Sequence, residues 1–237
     1  MHFEPIDTYR LAVDENYTFG TDAVTLAHFG APQKPNETVC DLGTGCGSIP
    51  FLLLSKPHPP KYICGVDIQP AAITLCNISK KDNHIENIQF VNADWHNPAT
   101  IAPSGSFDRV LCNPPYFAAH SGKVSDNPAR RIARTETADT LDSVCAAAKY
   151  LLKYGGHFCL CHRPERLTDI LTALRAHSLE PKRLQTLQAT VNTAPSLLLI
   201  DAVYGGKAGL TFLPPLILRE QNIPTAQYTE IYANYQR

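Results

Sequence analysis

The sequence carries no excess of charge of either sign. Its 21 Lys and Arg residues nearly balance its 22 Asp and Glu residues, and the formal net charge is −1. A protein that attracts a polyanion over its whole surface is strongly basic. Any contact with a nucleic acid must therefore come from local groups of cations.

Long apolar runs are also missing. The longest lie around 49–54 and 197–200, far short of the roughly 20 residues that cross a bilayer. The N-terminal stretch MHFEPIDTYR has no apolar segment of the kind found in signal peptides. We therefore expect a cytoplasmic protein without a membrane partner, in which the eight cysteines stay reduced.

The sequence also lacks two pairs of Cys or His residues at the spacing of a metal site. Cys159, Cys161 and His162 lie together, but no second Cys/His pair follows at ligand spacing, so we expect no metal. Cysteines in apolar, strand-like runs usually behave as small hydrophobic residues. This interpretation covers Cys40, Cys64, Cys112, Cys159 and Cys161.

Short β-type runs alternate with helical patterns, which is typical of βαβ units and a mainly parallel sheet covered on both faces. The predicted strands are Thr38–Asp41, Tyr62–Val66, Gln89–Asn92, Arg109–Cys112 and His157–Cys161. Apolar residues at three- and four-residue spacing predict helices over 141–152 and 167–174, and Pro70 predicts the first turn of another helix that runs to about Lys81.

After residue 180 the pattern changes. The runs Lys182–Val191 and Leu197–Tyr204 predict an antiparallel pair at one edge of the sheet, followed by an extended segment over Leu210–Leu218. We expect a single domain over 1–237, with a cap segment over 1–37, a core sheet over 38–218 and a tail over 219–237. A monomer or weak dimer is expected. The loops Asn97–Ser106 and Phe117–Glu136 stand out by length, and the second is long enough to carry function.

The first predicted strand runs into the pattern D-x-G-x-G-x-G. Asp41 is followed by Gly43, Gly45 and Gly47, and then by a helix-compatible run. Glycines permit a tight turn and a close approach of backbone to ligand. A dinucleotide site is one interpretation, but its spacing is G-x-G-x-x-G. A carboxylate such as Asp41 also suits a cationic sulfonium cofactor better than a pyrophosphate.

Acidic residues also follow the next two predicted strands. Asp67 lies 24 positions after Gly43, where a carboxylate can accept the hydroxyls of a ribose. Asp94 can accept from an adenine amino group, and Trp95 or Ile68 can pack near the ring. The alternative is that Asp94 caps a helix and Trp95 fills the core.

These three acidic positions and the glycine pattern resemble the class I S-adenosylmethionine-dependent methyltransferases. The resemblance covers most of the chain. It implies a Rossmann-like α/β fold with a seven-stranded, mainly parallel sheet, the last strand antiparallel, and helices on both faces. It also implies that S-adenosylmethionine binds at the carboxyl ends of the first strands.

The fourth predicted strand ends in Asn113-Pro114-Pro115-Tyr116. The two prolines fix the backbone of a rigid loop at the sheet edge. The Asn113 side-chain oxygen and the Pro114 carbonyl can each accept one N–H of a planar NH2 group, turning its lone pair toward a methyl donor. Tyr116 can stack on a base. The alternative is a simple turn that ends the strand.

The N-P-P-Y tetrapeptide resembles that of the amino methyltransferases, which act on adenine N6 in DNA and RNA or on a glutamine of release factors. An adenine and a glutamine amide both present a planar NH2 group, so the motif leaves both substrates open. A noncatalytic adaptor that binds S-adenosylmethionine or RNA is a further alternative, although it would be free to lose the tetrapeptide.

Longer stretches resemble the bacterial tRNA (adenine-N6)-methyltransferases that modify valine tRNA beside the anticodon. They are 17–27 (YTFGTDAVTLA), 129–136 (ARRIARTE) and 213–216 (LPPL). The resemblance implies that Phe19, Gly20, Thr21 and Asp22 cover the methionine end of S-adenosylmethionine. The partner it implies is tRNA.

A group of potential cations follows the N-P-P-Y loop and is opposed mainly by Asp126 and Glu136. Such a group suits the phosphates of a single-stranded or flipped nucleotide. The alternative is a solvated loop in which Arg134 and Glu136 pair with each other. The candidate RNA-binding residues are His120, Lys123, Arg130, Arg131 and Arg134.

Overall fold

The computed structural model describes residues 1–114, 117–118, 135–136 and 138–232. The helices are α1 (Thr21–Phe29), α2 (Ser48–Leu54), α3 (Pro70–Asp82), α4 (Ala138–Leu151), α5 (Leu167–Ala176) and α6 (Ala226–Tyr232). Short 3-10 turns lie at Pro98–Thr100 and Pro164–Arg166. No helix in these ranges is both long enough and apolar enough to cross a membrane.

Within the described residues, the strands fall into one large sheet and three two-stranded pairs. In chain order they are β1 (His2–Ile6), β2 (Tyr9–Val13), β3 (Thr38–Leu42), β4 (Tyr62–Asp67), β5 (Ile88–Asn92), β6 (Phe107–Cys112), β7 (Phe117–Ala118), β8 (Thr135–Glu136), β9 (Leu152–His162), β10 (Leu179–Gln188), β11 (Leu197–Tyr204), β12 (Thr211–Phe212), β13 (Leu216–Ile217), β14 (Arg219–Glu220) and β15 (Ile223–Pro224).

The large sheet has the order β12-β10-β11-β9-β6-β3-β4-β5, and β13 also pairs with β10. Strands β5, β4, β3, β6 and β9 are parallel, whereas β11 is antiparallel to both β9 and β10. The seven long strands and the antiparallel last one confirm the expected fold class. The short strands β12 and β13 were not expected as separate elements.

Each face of the sheet covers its own apolar cluster. Along β3, Val39 packs on the face of α1, α2 and α3, while Cys40 and Leu42 pack on the face of α4 and α5. This alternation follows from the two-residue period of a strand. Helices therefore lie on both faces, as the sequence predicts.

Several boundaries differ from the sequence expectation. The strand predicted over Lys182–Val191 is β10, which begins and ends three residues earlier. The segment Leu210–Leu218 is extended only at β12 and β13, because Pro214 and Pro215 between them have no N–H for a ladder. The cap segment contains the β1–β2 hairpin and α1, neither of which the sequence pattern predicted.

Candidate active site

The glycine loop between β3 and α2 turns at the carboxyl edge of the sheet. Gly43, Gly45 and Gly47 have φ values of 75°, 55° and 85°, a left-handed conformation that glycine adopts without steric cost. The backbone N–H groups of Gly43 and Thr44 donate to the Val66 carbonyl at 2.9 and 2.8 Å. The loop is thereby fixed to the end of β4.

Asp67 is the last residue of β4 and lies directly under this loop. The Gly45 N–H donates to its Oδ2 at 3.0 Å, and the Gln69 N–H donates to its Oδ1 at 2.9 Å. Burial raises the pKa of Asp67, and these two donors act against the rise. Each carboxylate oxygen has a second lone pair, so the side chain can still accept from two ribose hydroxyls.

Asp41 is fully buried in β3, beside the loop. Neither of its carboxylate oxygens has a hydrogen-bond partner among the described residues, and the same holds for the Thr44 hydroxyl. Burial, the largest effect, and the neighbouring charge of Asp67 raise the pKa of Asp41 to about 7. Buried polar groups normally have partners. The residues therefore fit a cationic cofactor that would face these oxygens.

The residues after β5 lie at the same edge. A Cβ atom on Gly43 would be 3.4 Å from Cζ3 of Trp95, so the indole lies against the loop. The indole N–H also donates to Ser143 Oγ at 3.2 Å, which gives Trp95 a packing role on α4. Ile68 is 54% exposed next to Asp67, available to an adenine ring.

Asp94 is half exposed and accepts from the backbone N–H and ring Nδ1 of His96, at 2.9 and 2.7 Å. Burial acts to raise the pKa of Asp94, but these contacts with His96 hold it below its ordinary value. The carboxylate therefore stays ionised at neutral pH. Asp94 does not cap the 3-10 turn that follows, because the turn begins at Pro98, has Asn97 at its N-cap position and receives no side-chain cap.

Asn113 and Pro114 follow β6, the strand next to β3. Parallel neighbours lie about 4.8 Å apart, so Asn113 and Asp67 are separated by two strand spacings, roughly 10 Å. The Cys161 thiol donates to Asn113 Oδ1, with Sγ and Oδ1 3.1 Å apart. Tyr116, His120, Lys123, Arg130, Arg131 and Arg134 lie outside the described residues.

The N-terminal stretch reaches the same edge through Tyr17, which sequence reasoning missed. Its hydroxyl donates to Gln69 Oε1 at 2.8 Å, and burial, Asp67 and Asp14 raise its pKa. Phe19 is buried in the core, and α1 begins at Thr21 with Asp22 in its first turn. The stretch that leads into α1 therefore starts beside the candidate ribose site.

Three further residues were not predicted. Cys76 on α3 donates to the Gly45 carbonyl at 3.1 Å, the Asn92 amide donates to the Asp67 carbonyl at 2.9 Å, and Cys161 contacts Asn113. Gln69 and Asn92 each lie two positions from a predicted site residue, Asp67 and Asp94, so the sequence neighbourhood of those residues could have indicated them. Cys76 and Cys161 could be found only from the packing of helix and strands.

The comparison with known protein families matches residues 33–198 to the methyltransferase domain. The chain belongs to the methyltransferase domain family. This match spans the glycine loop, Asp67, Trp95 and Asn113. The domain implies S-adenosylmethionine as the methyl donor, in agreement with the partnerless oxygens of Asp41.

Two kinds of name occur among the relatives of this chain. The chain is 35% identical over 97 residues to "Release factor glutamine methyltransferase" of Aliivibrio fischeri, covering 40% of this chain and 33% of that protein. It is 29% identical over 198 residues to "tRNA1(Val) (adenine(37)-N6)-methyltransferase" of Shewanella loihica, covering 81% and 79%. The chain thus spans about a third of the first relative and most of the second.

Solved structures share the fold. A protein described as a predicted O-methyltransferase from Agrobacterium tumefaciens matches with a TM-score of 0.72 and 19% identity, covering 90% of this chain and 96% of that one. At this identity the likeness supports the fold alone. The sheet order and the helices on both faces of this methyltransferase domain agree with it.

Proposed function

We propose that this methyltransferase transfers a methyl group from S-adenosylmethionine to the exocyclic N6 amine of an adenine in tRNA, beside the anticodon of valine tRNA. The observation that carries the proposal is the match to a relative of that name over 81% of this chain and 79% of its own length. Two relatives named for glutamine methylation align over 40% and 65% of this chain, and over 33% and 54% of their own lengths.

In the proposed binding mode, different parts of the cofactor contact residues at the ends of different strands. Asp67 accepts from the ribose hydroxyls, Ile68 and Trp95 pack on the adenine ring, and Asp94 accepts from its amino group. The methionine end lies near Asp41 and the glycine loop, with Phe19, Thr21 and Asp22 on the N-terminal side. The bound cofactor supplies a methyl group on a sulfonium centre.

The target amine is proposed to lie at Asn113 and Pro114. Its lone pair is delocalised into the adenine ring, so the obstacle to reaction is the direction of that lone pair. The Asn113 side-chain oxygen and the Pro114 carbonyl each accept one N–H, which favours a pyramidal nitrogen in line with the methyl group. Tyr116 is proposed to stack on the base. A strong base is not required, because the methylated nitrogen loses its proton readily.

The second candidate is methylation of a glutamine in a release factor. The local identity of 35% to an enzyme of that name favours it, and a glutamine amide offers the same two N–H donors. Such an enzyme requires a surface for a protein and is indifferent to RNA.

Incubation with radiolabelled S-adenosylmethionine separates the two candidates. The acceptors are total tRNA from cells that lack the modification and, separately, purified unmethylated release factor. We expect label in tRNA, at an adenine identified by nucleoside mass spectrometry, and Asn113→Ala protein serves as the matched control. Label in release factor alone would establish the second candidate, and label in neither would favour an adaptor.

Further parts of the proposal concern partners. Lys123, Arg130, Arg131 and Arg134 are proposed to contact tRNA phosphates, and the cytoplasm is the proposed compartment, since it is where tRNA is modified and used. We also propose that the protein acts without a bound metal and as a monomer or weak dimer.

A further inference from the structure

Cys161 lies beside the side chain proposed to hold the target amine. In the parallel pair of β6 and β9, Cys112 is opposite Leu160. The residues that follow them along the sequence, Asn113 and Cys161, therefore lie side by side. The Cys161 Sγ atom lies 3.1 Å from Asn113 Oδ1 and is oriented to donate. Cys161 is completely buried. The contact is therefore fixed by the sheet register.

The hydrogen bond from the thiol favours one of the two orientations of the Asn113 amide. An asparagine amide has an oxygen that accepts two hydrogen bonds and an NH2 that donates two, and its last torsion is broad and roughly two-fold. A thiol donor beside Oδ1 favours the orientation with the oxygen toward β9, and it supplies one of the two hydrogen bonds that this oxygen can accept. A flipped amide would present NH2 donors to a target NH2, which is itself a donor.

We propose that Cys161 is a positioning residue, whose thiol holds the Asn113 amide so that Oδ1 accepts an N–H of the target amine. This inference rests on the proposed function, in which Asn113 makes that contact. A thiol suits the task because it is a weak donor that packs like an apolar group. It can lie against Leu199, its partner on β11, and still fix the amide.

A double-mutant cycle tests the proposal against a purely packing role. Single-turnover methyl transfer is measured for wild type, Cys161→Ala, Asn113→Ala and the double variant, all well below their Tm. Since a neutral hydrogen bond contributes about 0.5–1.5 kcal/mol, Cys161→Ala is expected to lower the rate about two- to tenfold. With alanine at position 113, the same change should have less than a twofold effect.

Two further variants sharpen the cycle. Cys161→Ser restores a donor and is expected to stay within about threefold of the wild-type rate. Cys145→Ala removes another fully buried thiol, from α4, and should lower Tm without changing the rate. Equal effects of Cys161→Ala with and without Asn113, or a serine variant no faster than the alanine variant, would refute a positioning role.

A spectroscopic readout tests the contact without any turnover. The side-chain NH2 signals of Asn113 are assigned in ¹⁵N-labelled protein by their loss in Asn113→Ala. They should shift or broaden in Cys161→Ala and stay in place in Cys145→Ala, and unchanged signals would overturn the inference. If wild type labels release factor instead of tRNA, the proposed substrate is wrong, and the same cycle run on release factor still decides the role of Cys161.

Discussion

At the scale of single residues, we expect Asp41 to make cofactor binding depend on pH. Its carboxyl has a pKa of about 7 in the protein alone, because burial disfavours the charged form. A cationic cofactor beside it favours the charged form, so binding releases a proton below pH 7. We expect the affinity for S-adenosylmethionine to rise about tenfold from pH 6 to pH 8, by calorimetry.

The matched control for this pH dependence is Asp41→Asn, which cannot ionise. It should bind S-adenosylmethionine more weakly at pH 8 and show a nearly flat profile. A flat profile in the wild-type protein would mean that the Asp41 carboxyl does not face the cation.

Asp67→Ala tests the ribose contact. Hydrogen bonds to a charged group contribute about 1.5–3 kcal/mol, so the affinity for S-adenosylmethionine should fall about ten- to a hundredfold. The Gly45 and Gln69 N–H groups also lose their acceptor, so the loop should loosen. NAD should not bind measurably. Calorimetry that found tight NAD binding and no binding of S-adenosylmethionine would contradict the cofactor assignment.

Asn113→Ala tests the reaction centre. The variant should keep its fold and its affinity for S-adenosylmethionine while single-turnover methyl transfer falls at least about a hundredfold, since a lost preorganised hydrogen-bonding group costs roughly 2.7–4 kcal/mol at comparable sites. Asn113→Asp keeps an acceptor but adds a charge near the sulfonium, and we expect partial activity. Normal turnover in both Asn113→Ala and Tyr116→Ala would make the N-P-P-Y loop structural.

At the scale of elements, the sequence between β7 and β8 contains the arginines that we propose to contact tRNA. Replacing Arg130, Arg131 and Arg134 with Ala should raise the Michaelis constant for tRNA. It should also flatten the plot of log affinity against log salt by about two units, because each lost phosphate contact to a single strand removes roughly 0.7. The affinity for S-adenosylmethionine should stay the same.

If the salt dependence of tRNA binding did not change, the tRNA would have to contact other residues. Arg183 is already held by Asp201 at 2.8 Å, and the Lys182 ammonium donates to the Lys207 carbonyl at 3.0 Å. Arg219 on β14 is exposed and would be the next residue to replace.

The same elements explain what the sequence could predict. The parallel strands have short apolar runs bounded by polar residues, and α4 and α5 have one apolar face, so periodicity reveals them. Helix α1 escaped prediction because its residues Ala23 to Ala27 are all buried, which removes the polar face that gives a helix its period. The β1–β2 hairpin escaped prediction because its strands, HFEPI and YRLAV, mix polar residues and a proline with the apolar ones, so no clear strand pattern stands out.

The candidate site divides in a similar way. The glycine loop, Asp67 and Asn113 were predictable because backbone conformation and strand ends leave local marks in the sequence. The hydrogen bonds from Tyr17 to Gln69 and from Cys161 to Asn113 were not, because they join residues 52 and 48 positions apart. Their existence depends on sheet register and packing, which no local pattern encodes.

At the scale of the whole molecule, we propose that residues 1–237 form one cooperative unit. The core cluster on one face joins Ile6 and Leu11 of the N-terminal hairpin to Leu199 of β11 and Ile231 of α6. Leu11→Ala should cost about 2–5 kcal/mol and lower the temperature of the entire transition in scanning calorimetry. An additional early transition would show that the terminal segments unfold independently.

The position of β11 between β9 and β10 has a consequence for synthesis on the ribosome. Strand β9 is complete at residue 162, but in the described part of the chain its outer edge pairs with β11, which ends at residue 204. At about 5–20 residues per second, these 42 residues take roughly 2–8 seconds to make. During that interval the nascent chain carries an open strand edge next to its finished half-sheet, and β10, although already made, has no place on it until β11 arrives.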